Sequence, residues 1–199
     1  MNLNRLTAVR KGLIDLDATT VVQMAERRWG AVLTADVVEY SRLTGIDEEQ
    51  TYFLYQSHRR EVLYPKTREY GARFLKSTGD GIMAEFRSAI DAARCAIDVQ
   101  RSMDERSRAV AKDRRIIFRI GLSCGRIIAD PDDIYGHDVN VSARLQTVAP
   151  PGGIAMSGEV AALVRQTLPF SLEDMGEHHF HNMNCAVRVF QCRAATMVN

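Results

Sequence analysis

From Trp29 onward the chain alternates short apolar runs with longer amphipathic stretches. Ala31-Val32-Leu33-Thr34-Ala35 is an apolar run of strand length, the pattern of a strand buried on both faces, and Asp36 stands at its mouth. Between about Asp47 and Tyr70, the positions Tyr52, Leu54, Tyr55, Val62 and Leu63 lie among many charges. That spacing predicts one or two amphipathic helices, interrupted by Pro65 and ended by Gly71. Arg73-Phe74-Leu75-Lys76 and Ile82-Met83-Ala84-Glu85-Phe86 flank Ser77-Thr78-Gly79-Asp80-Gly81. The Asp-Gly step between two such runs predicts a β-hairpin with Lys76 and Asp80 near its tip.

Ser88 and Asp91 have the form of a capping box, and Ala89, Ala92, Ala93, Ala96, Ile97, Gln100 and Met103 follow at helical spacing, so a packed helix is expected to Met103 or beyond. Ile116 to Leu122 and Arg126 to Ala129 read as two strands hinged near Cys124-Gly125. Val139, Ala143, Leu145 and Val148 fall near one face of a helix that Pro150-Pro151 stop. A strand at Ile154 to Met156, a helix over Ser157 to Val164, and two late strands near Phe170 and Val187 complete the series. Strands alternate with helices and also form adjacent hairpins, which makes the fold class α+β, with helices on an open, mostly antiparallel sheet.

Residues 1–28 differ, because their apolar positions are scattered and Ala25-Glu26-Arg27-Arg28 close the stretch with charge. They read as an N-terminal extension, either a loosely docked helix or an arm packed on a partner through Leu13, Leu16, Val21 and Val22. The rest, 29–195, reads as one domain, and 199 residues suit one domain with a short extension.

Charge narrows the functional classes. With 26 Lys+Arg against 25 Asp+Glu, the chain lacks the global positive field of a nucleic-acid or membrane-surface binder, so a phosphate-bearing ligand must be held locally. No apolar run approaches the ~20 residues of a membrane helix, and the start lacks a signal-peptide core. A cytoplasmic protein without membrane insertion is expected. Cys95, Cys124, Cys185 and Cys192 form no C-x-x-C pair and read as reduced thiols rather than zinc ligands or disulfides.

Asp36 and Asp80 each sit where an apolar strand meets a turn, so both carboxylates can converge on hard cations such as Mg²⁺ or Mn²⁺. Two such metals can activate a hydroxyl and neutralise phosphates in an in-line displacement. Strand-end aspartates are also ordinary turn formers, so the pair alone leaves both readings open.

The neighbouring motifs narrow them. Asp36-Val37-Val38-Glu39-Tyr40-Ser41, Lys76-Ser77-Thr78-Gly79-Asp80-Gly81, and Asp133-Ile134-Tyr135-Gly136-His137-Asp138-Val139-Asn140-Val141-Ser142-Ala143-Arg144-Leu145 resemble, in order and spacing, the class III adenylate and guanylate cyclase catalytic domains. The resemblance covers roughly residues 26–193 and is close to the stand-alone bacterial type in which Ala-Glu-Arg-Arg precedes the first strand. It implies a ferredoxin-like βαββαβ core and an adenylate cyclase that turns ATP into 3′,5′-cyclic AMP and pyrophosphate with two divalent cations, Mg²⁺ or Mn²⁺.

Carried over by position, Asp36 and Asp80 match the metal aspartates, and Lys76 and Asp133 match the purine selectors. The lysine donates to adenine N1 and the aspartate accepts from the exocyclic amine; guanine presents the opposite pattern, so ATP is favoured over GTP. Asn140 and Arg144, four apart on a helix, match the asparagine that orients the ribose and the arginine that stabilises charge on the α-phosphate. Ser41 falls in the first motif as a substrate-binding position. The family's site lies between two head-to-tail subunits, and a chain carrying the whole set implies a homodimer with two composite sites.

Two departures stand out. His181 occupies the position of a lysine that contacts the triphosphate, exchanging a permanent charge for an imidazole, and Cys185-Ala186-Val187 replaces a common proline-containing turn. The alternatives are a guanylate cyclase, opposed by Lys76 and Asp133, and a catalytically weak cyclase-homology module that binds nucleotide or regulates. A diguanylate cyclase or polymerase palm lacks support, because neither the Gly-Gly-Asp-Glu-Phe signature nor a basic footprint is present.

Overall fold

The computed structural model describes residues 25–168 and 171–193, with the side chains of 76–78 excepted. One sheet organises them. Strands β1 (Glu26–Val37), β2 (Arg73–Thr78), β3 (Gly81–Phe86), β4 (Phe118–Ala129), β6 (Gly153–Ser157), β7 (Glu173–His178) and β8 (Val187–Arg193) lie in the order β2-β3-β1-β4-β6-β8-β7, and the short β5 (Ile134–Tyr135) pairs with β4. Among the described strands only β4 and β6 run parallel. The helices are α1 (Tyr40–Ile46), α2 (Glu48–His58), α3 (Tyr64–Glu69), α4 (Ala89–Ser107), α5 (His137–Val148) and α6 (Gly158–Arg165). With α1 to α3 linking β1 to β2 and α4 linking β3 to β4, the order β2-β3-β1-β4 is the ferredoxin-like core expected from the sequence.

Period-2 alternation explains the layers. Ala31, Leu33, Ala35 and Val37 of β1 join Phe118, Ile120, Leu122 and Cys124 of β4 in the main core, with Leu43 of α1, Tyr55 of α2, the apolar side of α4, and Val160 and Val164 of α6. The opposite face receives α5: Val139 groups with Val32, Ile127 and Ile134, while Val141 and Leu145 group with Ala155 and Val189. Thus β1 is buried on both faces, as its apolar run requires.

Several boundaries moved. β1 starts at Glu26, and residues 26–28 pair with Ala129, Ile128 and Ile127, so the charged end of the expected extension belongs to the sheet. A helical arm over the earlier residues falls outside the described residues, as does Phe170. The two strands expected to hinge near Cys124-Gly125 are one continuous strand, β4. Gly125 is there for close approach, since a Cβ on it would lie 2.1 Å from Asp138 Oδ2. Pro65 does not interrupt its helix. Residues 59–63 widen into a π turn in which the Tyr64 N–H reaches the Arg59 carbonyl, and this places the N–H-deficient proline in the first turn of α3, where its donor is not missed. In the hairpin the two loop residues are Gly79 and Asp80, with Gly79 at φ 61°.

Ser88 caps α4 by accepting the Asp91 N–H at 3.3 Å. All four cysteines are free, and only Cys185 is exposed. No described helix is long and apolar enough to cross a membrane.

His58, 4% exposed at the end of α2, predicts an acid sensitivity of the fold. Burial, reinforced by the Arg106 guanidinium, pushes its imidazole down to about 4, against the opposing pull of Glu61. Its Nδ1 accepts from Arg106 Nε at 3.3 Å, which requires the neutral ring. A lowered histidine leaves the unfolded state binding more protons between pH ~6.5 and ~4. Its contribution is therefore complete above ~6.5 and lost as pH falls toward ~4, by about 3 kcal/mol in total. Urea unfolding of wild type and His58→Gln across that range should show a difference that grows with pH; parallel curves would refute this role.

Candidate active site

Asp36 lies one residue from the end of β1, opposite Arg119 of β4. The two form a forked ion pair, with Nε donating to Oδ1 at 3.1 Å and Nη2 to Oδ2 at 2.7 Å. Both are partly exposed, at 21% for Asp36 and 27% for Arg119. Arg119 also donates to the Thr147 carbonyl at 3.3 Å, tying this end of the sheet to the end of α5.

Asp80, in the β2–β3 loop, comes beside Asp36. Burial, and then the Asp36 charge, push its carboxyl above the ordinary carboxylate range, while Arg119 and the backbone N–H groups of Asp80 and Val37 pull it down. Tyr40 borders the same pocket of charge, its phenol raised by burial and then by Asp80. Glu39, at φ 53°, turns the chain sharply from β1 into α1. Ser41 is exposed in the first turn of that helix.

A half-buried carboxylate held next to a second one is electrostatically costly, and a divalent cation relieves the repulsion; the donor set fits a hard metal. Among the described residues no group of three or more His, Cys, Asp and Glu forms a metal cage.

The other predicted residues lie on separate elements. Asp133 ends a tight loop after β4, in which Asp130 Oδ1 accepts the Asp132 N–H at 2.9 Å and the Asp133 N–H at 2.6 Å. Asn140 and Arg144 are both exposed on α5, one turn apart, with the buried Ser142 between them turned to the sheet. The Ser142 hydroxyl lies 3.0 Å from Thr34 Oγ1, 3.1 Å from the Val32 carbonyl and 3.0 Å from the Gly121 carbonyl. This clamp fixes the helix on β1 and β4. His181 is exposed in the β7–β8 loop, beside Asn182 at φ 62°. Lys76 is placed by its backbone on β2, opposite Met83; its side chain lies outside the described set.

Along the β1/β4 ladder, Asp36 pairs with Arg119, and the rung before the Asp133 loop joins Glu26 to Ala129. Those rungs are ten residues apart, roughly 30 Å of strand. The structure therefore joins Asp36 to Asp80 at one end and carries the Asp133 loop at the other.

Sequence reasoning missed Arg119, and also Glu85, a buried acid paired with both Arg28 and Arg73. The available signal was a charge inside an otherwise apolar strand run.

An α+β sheet with two neighbouring carboxylates at a strand end is compatible with several chemistries, and similarity to known proteins decides the family. Residues 31–190 match the family model of the adenylate and guanylate cyclase catalytic domain, and the chain belongs to that family. It is 37% identical over 164 residues to the protein named "Putative adenylate cyclase 3" of Rhizobium meliloti (strain 1021), covering 82% of this chain and 28% of that protein. The chain thus spans little more than a quarter of that relative's length. The crystal structure of an adenylate/guanylate cyclase/hydrolase from Silicibacter pomeroyi superposes with a TM-score of 0.81 at 36% identity, over 85% of this chain and 98% of that one. The adenylyl cyclase CyaB of P. aeruginosa, at 20% identity, shares the fold with a TM-score of 0.72 over 84% of this chain and 94% of its own.

Proposed function

We propose that this cyclase domain is an adenylate cyclase that closes ATP to 3′,5′-cyclic AMP and pyrophosphate at two equivalent sites, each shared by two copies of the chain. The observation that carries the reading is the separation of Asp133 from the two aspartates. Asp36 and Asp80 lie together at one end of the β1/β4 ladder, while Asp133 hangs from the other. An antiparallel two-fold pair would bring one copy's carboxylates against the other's Lys76, Asp133, Asn140 and Arg144, so that a single isologous interface holds two equivalent sites.

Asp36 and Asp80 would hold two divalent cations, Mg²⁺ or Mn²⁺, which supply Lewis-acid activation of the 3′-hydroxyl and neutralise the triphosphate. The 3′-oxygen attacks the α-phosphorus, the bond to the bridging oxygen breaks, and pyrophosphate leaves with the electron pair as the hydroxyl proton passes to water. Asn140 orients the ribose for in-line attack, and Arg144 stabilises charge developing on the α-phosphate. Lys76 and Asp133 read the adenine edge, Ser41 is a further substrate-binding position, and His181 stands where the triphosphate would be held.

Mixing tests the shared site. Asp36→Ala and Arg144→Ala chains should each be inactive alone, and their equimolar mixture should recover about a quarter of wild-type turnover. Random exchange makes half the dimers mixed, and each mixed dimer keeps one of two sites. A mixture that stays inactive while subunit exchange is demonstrated refutes the composite site. Faster turnover of GTP than of ATP by the wild type refutes the substrate assignment.

A further inference from the structure

Arg73 opens β2 three residues before Lys76 and pairs across the hairpin with Glu85. The Glu85 side chain is 3% exposed and forms ion pairs with Arg28 of β1 and with Arg73 at 2.9 Å. That carboxylate holds one edge of the Arg73 guanidinium, Nε donating to Oε2 at 3.0 Å. The remaining N–H groups turn onto the loop after β4. Nη1 donates to the carbonyls of Asp130 at 2.7 Å and Pro131 at 3.1 Å, and Nη2 to that of Asp133 at 3.3 Å. Within the loop, Asp133 Oδ1 accepts the Ile134 N–H at 2.9 Å. One anchored fork therefore grips the backbone of a turn that is 57 to 60 residues away in sequence. The hairpin has its own ladder, so pairing β2 with β3 does not require this grip.

We propose that Arg73 is a positioning residue for nucleobase selection, setting the loop that carries Asp133 at a fixed distance from the strand that carries Lys76. The inference rests on the reading of Lys76 and Asp133 as the adenine-contacting pair. Buried Glu85, further neutralised by Arg28, keeps the fork from swinging away. A lysine at this position retains a charge for Glu85 but has no planar fork with which to hold three carbonyls. The loop then shifts against β2, and a base reader displaced by about an ångström loses much of its preference. Arg73 bonds to none of the residues assigned to the phosphates, so the loss falls on KM and on base choice more than on kcat.

The test uses full-length wild type, Arg73→Lys, Arg73→Met and Asp133→Ala at saturating Mn²⁺, with kcat and KM measured for ATP and GTP. Melting temperature and amide exchange of residues 130–134 are followed in parallel. Arg73→Lys is expected to melt like the wild type, exchange faster in the loop, and lose about tenfold or more of its ATP-over-GTP ratio in kcat/KM, mainly through KM. Arg73→Met is expected to lose more; should it fail to fold, Arg73→Lys decides. A ratio within about twofold of wild type in folded Arg73→Lys makes Arg73 a structural strut and overturns the proposal. If Asp133→Ala also leaves the ratio unchanged, the adenine-reading assignment itself has failed and takes the proposal with it.

Discussion

Asp36→Asn and Asp80→Asn are each expected to lower turnover by at least about a hundredfold at saturating Mn²⁺ while leaving the fold intact, because each removes a charged donor from the proposed metal pair. Their stabilities should differ in sign. Asp36→Asn gives up the forked pair with Arg119. That pair is about a quarter exposed on each side, and the freed guanidinium can turn to water, so the loss is small. Asp80→Asn removes the carboxylate that burial and the Asp36 charge disfavour, so in EDTA it should melt no lower than wild type at pH 7. A carboxyl raised in the folded state lowers stability above its folded pKa, and that penalty fades as pH falls through it. The advantage of Asp80→Asn should therefore be present at neutral pH and vanish in acid. Turnover within tenfold of wild type in either purified variant would defeat the two-carboxylate assignment.

Gly121→Ala is expected to be the most damaging single-methyl change in the sheet. The added Cβ would lie 2.2 Å from the Ser142 carbonyl oxygen and 2.4 Å from the Gln146 nitrogen, both backbone atoms of α5. Backbone cannot rotate away as a side-chain tip can, so the whole helix must lift. It then loses the Ser142 clamp on Val32, Thr34 and Gly121. Overpacking of this kind costs about 3 kcal/mol, the upper part of its usual range, equivalent to roughly 6–12 °C in Tm for a chain of this size. Asn140 and Arg144 ride on the displaced helix, and a shift of about 1 Å costs on the order of a hundredfold in rate. Gly45→Ala is the control, since nothing lies within 4 Å of its added Cβ, and it should melt at or above the wild-type temperature. Equal melting temperatures for the two variants would show that α5 is not seated on Gly121 as described.

The sequence by itself determined the elements whose signals are local. The Ala31–Ala35 run fixed a strand buried on both faces, Ser88 fixed the start of α4, and Pro150-Pro151 ended α5, while the Asp80-Gly81 step marked the hairpin although its two loop residues are Gly79 and Asp80. Asp36 and Asp80 were legible as a pair because strand ends and turns are themselves local features. Tertiary structure decided the rest, through partners far apart in the chain. Glycine at 125 reads locally as a hinge, yet the strand runs straight through it because Asp138 needs the space of its missing side chain. Glu26, Arg27 and Arg28 read as the end of a polar arm, yet they extend β1 because β4 supplies a ladder beyond the apolar run. Arg119, Glu85 and Arg73 were hidden for the same reason. A charge within an apolar strand is tolerable only if another strand or loop brings it a partner, and those partners lie 12 to 83 residues away, where no periodicity along the chain can reveal them.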